Sequence, residues 1–254
     1  MSRMRPEAQS FVQSLAQALN SAQVPCVVWG NCLDSLQGVP ALINSCDFVI
    51  PNDCLEAGTV ALATCDDLVP CPDPESCFII DEKRISPPPA SHAHFGYALE
   101  DTVGLYLQSE TLWFLPPMDA SLLLPNKVDL PPYFALASDE TVFPPRRRPG
   151  RGCGVFPSTA PAVIAPKPHI LLEAYMRLFA RDHGKWVGLI GVRTMCNMSS
   201  YVDADGFLDA DLLPEPLRTS YKRWKDPEIR VRQWSQELNA ALGLPPVTEE
   251  DFEY

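Results

Sequence analysis

The sequence predicts an α+β fold with a helical C-terminal half. Three observations carry that reading. Short β-branched runs alternate with amphipathic stretches through the first 115 residues, prolines crowd the middle of the chain, and the remainder shows helix-period patterning. The chain therefore divides into an α/β core over 1–115, a proline-rich connector over 116–168 packed on that core, and a helical region over 169–254.

The elements follow in order. Residues 7–22 read as a helix, because Phe11, Leu15 and Leu19 recur on one face with Val12 and Ala18 beside them. "CVVW" (26–29) is β-branched, bounded by Pro25 and Gly30, and reads as a buried strand. A short helix over 31–37 starts at its end, and "CDFVI" (46–50) is a second strand closed by Pro51. Asp53 is placed to cap a helix over 54–63 by accepting an orphan backbone N–H. "CFII" (77–80), "HFGYAL" (94–99), "VGLYLQ" (103–108) and "TLWFL" (111–115) read as later strands, with a tight turn at 108–110 between the last two. Residues 116–168 hold almost half of the chain's 27 prolines. Proline fixes φ and removes a backbone donor, so this stretch is expected to be a long ordered wrap with little regular structure. Beyond it, "HILLEAYMRLFARD" (169–182) carries Leu172, Tyr175, Met176 and Phe179 on one stripe. The segment 185–202 is apolar on most sides, and 215–224 and 228–242 read as two further helices, the last ended by Gly243.

Composition narrows the function classes. At 254 residues, 46% hydrophobic and a mean hydropathy of -0.05, the chain reads as a soluble globular protein with room for a sizeable core. No apolar run reaches the length of a membrane span. The N-terminus leads straight into an amphipathic stretch, so no signal peptide is expected. The nine cysteines are odd in number and scattered, with no C-x-x-C pair, which indicates neither a disulfide-linked partner nor a zinc module. Reduced thiols and a cytoplasmic location follow. A net charge of -12 repels phosphate polymers on average, but cations gather in two places. One is Arg146, Arg147, Arg148 and Arg151 in the connector; the other includes Arg218, Lys222, Arg223 and Arg230. These read as solvated faces or as an anion track.

Helix, "VPCVVWG", short helix, "GVP" and "CDFVIP" together are similar to the nucleotidyltransferase fold of the polymerase-beta type, in its small antibiotic-modifying and toxin-associated form. The resemblance covers about residues 7–63. It implies a nucleotidyltransferase-like mixed sheet flanked by helices. In that family a pair of small residues opens the helix, and two acids alternate on the next strand, where period-two spacing lets both hold metal ions. Here Gly30 is present but Asn31 replaces the second small residue, and Ser45 stands where the first acid would be, leaving Asp47. Asp34, Asp53, Asp66 and Asp67 are near in sequence but lack the alternation. A lone carboxylate is a poor magnesium anchor, so no metal is expected in this site.

A narrower resemblance goes further. Trp29-Gly30, Gly38-Val39-Pro40, the run Phe48 to Asp53, His92 and His94 on a middle strand, the connector, and Glu173 on the following helix resemble a widespread group of fungal proteins. That group includes the fungal arginine-containing cyclodipeptide synthases, which the chain thereby resembles. The resemblance implies an aminoacyl-tRNA-dependent transferase, with charged tRNA as its substrate and no cofactor. Asp47 and Glu173 are then the base and the guanidinium partner, in either order, with His94 as a further acid/base. Trp29, Gly30, Asn31, Ser45 and Arg177 would line the substrate, with backbone N–H groups at Gly30 and Asn31 facing the oxyanion. Arg146, Arg147, Arg148, Arg151, Arg181, Lys222 and Arg223 would meet tRNA phosphates. A metal-dependent nucleotidyltransferase and a catalytically dead binding module are the alternatives. The His92/His94 pair also reads as two metal ligands without an identifiable third, or as a polar strand face.

Overall fold

The computed structural model describes residues 6–66, 68–71, 73, 77, 79, 88–95, 98–123, 129–146, 148–158, 161–182 and 186–246. The chain forms two compact units, Met1–Asp81 with Pro88–Lys167 and a second around Pro168–Tyr254. The architecture is α+β.

The first unit begins with helix α1 (Pro6–Ser21), strand β1 (Val27–Trp29), helix α2 (Gly30–Leu36) and strand β2 (Ser45–Ile50). These elements stand where the hydrophobic period puts them. A turn of 3₁₀ helix at Asn52–Cys54 then leads into α3 (Leu55–Ala63). Asp53 lies inside that turn, and the α3 N-terminus has no side-chain cap, which corrects the expected capping role. Strands β3 (Leu68–Pro70), β4 (Ser91–Phe95) and β5 (Ala98–Leu107) complete a sheet of order β1-β2-β5-β4-β3. β2 and β5 run parallel, and the other pairs are antiparallel.

One sheet face is apolar. Val28, Phe48, Val103 and Leu105 are fully buried on it. α1 and α3 cover this face: around Gly58, Leu105 Cδ1, Ile50 Cδ1 and Leu19 Cδ2 lie 3.1, 3.3 and 3.7 Å from where a Cβ would stand. A Cβ at 58 would require the Leu105 and Ile50 side chains to give by a few tenths of an ångström.

Among the described residues the strand expected over 111–115 is absent, and the one expected over 94–99 is divided, since β4 ends at Phe95 and β5 begins at Ala98. Cys77 and Ile79 are not in a strand, while Phe78 and Ile80 lie outside the described residues. After β5 the chain turns into the short helix α4 (Gln108–Thr111) instead of a hairpin. Thr111, Leu112 and Leu115 are buried and Trp113 is exposed, so "TLWFL" anchors at turn spacing rather than alternating. Gln108 sets this path. Its Nε2 donates to Pro116 O at 2.8 Å and its Oε1 accepts from Met118 N at 2.9 Å, which serves a proline-rich stretch poor in donors of its own.

The connector has little regular structure beyond a two-stranded ribbon, β6 (Phe134–Leu136) with β7 (Ile164–Pro166). It is tied down by side chains from α1 and α2. Arg146 Nη2 donates to Gln9 Oε1 at 2.9 Å, Gln13 Nε2 to Pro157 O at 3.2 Å, and Gln37 Nε2 to Pro166 O at 3.3 Å. The Gly152–Gly154 stretch seats on the end of α2. Gly152 N donates to Gly38 O at 2.8 Å, Cys153 N to Ser35 Oγ at 3.0 Å, and Gly154 N to Ser35 O at 3.2 Å. Glycine density here serves close backbone packing.

In the second unit, α5 (Pro168–Asp182) packs against α6 (Trp186–Asn197), followed by α7 (Leu217–Trp224) and α8 (Val231–Ala241). α6 runs on through a π-helical stretch at Met198–Asp203, so the expected helix over 185–202 widens at its end. Trp234 is the core: its ring centroid lies 4.8 Å from Trp224 and 5.5 Å from Phe179, and its Nε1 donates to Ser220 O at 2.8 Å. Among the described residues, no helix is long and apolar enough to cross a membrane, and the cysteines are all free thiols.

The α2–connector seat gives a direct test. A Cβ at Gly152 would collide with Ser35 O and stand 2.5 Å from Val39 O, both backbone atoms that cannot swing aside. Gly152→Ala should lower unfolding free energy by about 2 kcal/mol or more, within the range for overpacked sites. Urea denaturation of the variant checks this, and an unchanged midpoint would contradict the seat.

Candidate functional site

Asp47 lies in the middle of β2, paired in register with Trp29 on β1 and Gly104 on β5. It is buried, at 6% exposure. Ser45, two residues back on the same face, donates its hydroxyl to Asp47 Oδ2 at 2.7 Å. The carboxylate is walled by two glycines. A Cβ on Gly30 would stand 2.7 Å from Oδ2, and one on Gly104 would stand 2.7 Å from Oδ1. Gly30 also has φ +60°, which only glycine adopts without strain at the start of α2. Asn31 Nδ2 donates to Asn44 Oδ1 at 3.1 Å, and Asn44 O accepts from Thr102 N at 3.1 Å, fixing the chain just before Ser45.

The residue expected to be an acid is thus a hydroxyl donor. Its hydroxyl occupies one carboxylate oxygen and brings no negative charge to anchor a cation there. Among the described residues, no group of three or more metal-ligating side chains includes Asp47. Asp34 is buried on α2, Asp53 and Asp66 are exposed, and Asp67 lies outside the described residues. The nearby thiols are poor nucleophiles. A hydrogen bond to Cys46, with Sγ atoms 3.7 Å apart, and burial both hold the Cys32 thiol protonated. Burial alone pushes Cys26 up to about 12.

Register extends the polar face across the sheet. Trp29, Asp47, Gly104 and His92 form one row, and Ser45, Thr102, His94 and Val69 form the next row on that face. His94 is buried there, with Nε2 3.7 Å from Cys77 Sγ. Cys71, Cys77, His92 and His94 offer four ligand atoms that all lie within 4.8 Å of one another. The sequence supplied only the histidines, because C-x₅-C followed by H-x-H matches no familiar zinc spacing. Gly104 carries a sequence signal of its own: an isolated glycine inside a strand marks close backbone approach.

In the second unit Glu173 is buried on α5 and already holds a guanidinium. Arg177 Nε and Nη2 both reach Glu173 Oε1 at 2.8 Å. Burial pushes the Glu173 carboxyl above the ordinary glutamate range, and Arg177 pulls it part of the way back. Arg181 Nε and Nη2 meet Asp182 Oδ2 at 3.0 and 2.7 Å. Lys222 pairs with Asp211 at 3.0 Å, Arg223 with Glu237 at 2.6 Å, and Lys225 with Asp203 at 2.6 Å. In the first unit Arg146 is bound to Gln9, and Arg148 Nη2 lies 3.0 Å from where a Gly38 Cβ would be. Arg151 Nη1 reaches Gly150 O at 3.4 Å, and Arg147 lies outside the described residues. Much of the basic sequence is thus engaged within the protein.

Comparison with family models, with curated proteins and with solved structures finds no match.

Glu173 makes a pH prediction. Its folded pKa lies above its unfolded value of 4.5, so between those two values the native state binds the extra proton. Stability should therefore fall as pH rises through that window, the reverse of an acid whose pKa is depressed. Glu173→Gln should remove this component. Urea midpoints of both proteins from pH 4 to 7 should diverge across the window, and parallel curves would contradict the assignment.

Proposed function

We propose that the protein is an aminoacyl-tRNA-dependent transferase of the cyclodipeptide synthase kind, forming an arginine-containing diketopiperazine with Asp47 as the proton-accepting carboxylate. The observation that supports this best is the Asp47 setting: one buried carboxylate, held by the Ser45 hydroxyl and walled by Gly30 and Gly104, with no second acid on the strand. Such a group suits proton transfer better than a paired-metal clamp.

Aminoacyl-tRNA is an activated ester. The amine of one aminoacyl group attacks the carbonyl of the other, the ester C–O bond breaks, and the terminal ribose hydroxyl of that tRNA leaves. The second amine then attacks the remaining ester, closing the six-membered ring and releasing the second tRNA. Asp47 takes the proton that each attacking ammonium must lose. Neither step consumes ATP. Glu173, which the resemblance makes a base or a guanidinium partner, already holds the Arg177 guanidinium on one oxygen. A cytoplasmic location follows from a charged-tRNA substrate.

Cells expressing the chain should accumulate a new arginine-containing diketopiperazine detectable by mass spectrometry. Asp47→Asn should reduce it by about 100-fold or more, the usual weight of a general base, while leaving the melting temperature near that of the parent. No product from the parent, together with pyrophosphate release from ATP and magnesium, would replace this reading by nucleotidyl transfer. Silence in both assays would leave a binding module.

Binding to tRNA should weaken with added salt as phosphate contacts release counterions. Arg151, on the surface of the connector, is the simplest cation to remove. Arg151→Ser should flatten the slope of log affinity against log salt by about one unit if it meets a phosphate. An identical slope would take Arg151 out of the interface.

A further inference from the structure

The sheet edge farthest from β1 brings together four side chains, of which the acyl-transfer reading assigned only His94, as a further acid/base. β3 and β4 pair antiparallel with Val69 opposite His94 and Pro70 opposite Ala93. The next step of that register carries Cys71 abreast of His92. Alternation then puts Val69, Cys71, His92 and His94 on one face. Cys77 returns to the same place from the segment beyond Cys71, its Sγ 3.7 Å from His94 Nε2. The two imidazole rings stand edge to face, 5.4 Å between centroids at 82°.

The distances match one kind of ligand. A tetrahedral zinc ion with Zn–S near 2.3 Å and Zn–N near 2.05 Å requires S···N of about 3.6 Å, S···S of about 3.8 Å and N···N of about 3.3 Å. The Cys77–His94 separation of 3.7 Å is already at that value. All four donor atoms lie within 4.8 Å of one another, so closing the remaining gaps takes rotamer adjustments of about 1 Å. Two thiolates and two imidazoles are a tetrahedral zinc donor set, while magnesium and calcium demand oxygen. His94 is buried and the other three are half-buried, which shields the site from bulk water without closing it off.

We infer that Cys71, Cys77, His92 and His94 form a four-ligand site for one Zn²⁺ ion that fastens Cys71 and Cys77 to strand β4. Four protein ligands leave no open coordination position, so the ion holds structure and does not activate water. The site departs from the expectation that the cysteines form no zinc module and supplies the ligands that the His92/His94 pair lacked in sequence, and a zinc ligand at His94 replaces its expected acid/base role.

Protein purified from zinc-supplemented cells without chelator should carry about one zinc per chain by elemental mass spectrometry. Exchange to Co²⁺ should give the absorption of a tetrahedral ion with thiolate-to-metal charge transfer. Cys71→Ser with Cys77→Ser should lose the zinc and the charge-transfer band. If that variant does not fold, the parent decides the matter by thiol mapping. Chelator should raise the alkylation of Cys71 and Cys77 several-fold and lower the melting temperature, and Zn²⁺ should reverse both. A folded parent that neither carries zinc nor binds added Zn²⁺ or Co²⁺ would overturn the inference. So would a Cys71–Cys77 disulfide in the non-reduced peptide map, or stoichiometric zinc retained in the double variant.

Discussion

A carboxylate buried on a central strand constrains much of the first unit. Ionised and unpaired, such a group costs several kcal/mol, so the fold must supply donors and room. Ser45 supplies one donor from two residues back on the same strand. Room comes from Gly104, beside Asp47 in the row, and from Gly30 at the start of α2, where a Cβ would stand 2.7 Å from a carboxylate oxygen. Positions 30, 45, 47 and 104 are therefore one unit of design, although they come from α2, β2 and β5. The apolar face behind them is ordinary core. The polar face is where the sheet departs from what stability alone would choose, and such departures are where function is sought.

Asp47 and the proposed zinc site sit in adjacent stretches of that face. Gly104 lies between Asp47 and His92 in the same row, and its strand partner β4 carries both histidines. The separation from Asp47 to His92 is two strand spacings, or about 10 Å between backbones. A metal that fixes β4 would also fix the strand on which Gly104 backs the carboxylate. The two features are chemically separate yet mechanically linked through β5.

Local signals in the sequence were enough to place much of the fold. Helix α1, strands β1 and β2, and helices α5, α7 and α8 follow from period and punctuation, and Ser45 and Asp47 were visible as a modified strand motif. What escaped depends on distant partners. "TLWFL" has strand composition but no neighbouring strand to pair with, and Gln108 turns the chain elsewhere. Cys71 and Cys77 look like stray small apolar residues until β3 pairs with β4. Arg146 and Arg148 of the connector look like part of a free arm until Gln9 and the end of α2 are seen beside them. Glu173 reads in the sequence as a base or a guanidinium partner for substrate, and only the fold shows that Arg177 holds one of its oxygens.

The fastening of the connector has a consequence for how the protein is made. Its ties join Gln9 to Arg146, Gln13 to Pro157, Ser35 to Cys153 and Gln37 to Pro166, across sequence separations of 137, 144, 118 and 129 residues. Contacts this remote must close very long loops before they return any stability, which slows folding relative to helical bundles of similar size. During synthesis, α1 and α2 emerge early and have to wait for the last residues of their own unit. The helices of the second unit rely on local packing and can form quickly once translated. The nascent chain therefore holds its oldest segment unfinished the longest, and an N-terminal fragment ending before the connector would present bare polar side chains where its final layer belongs.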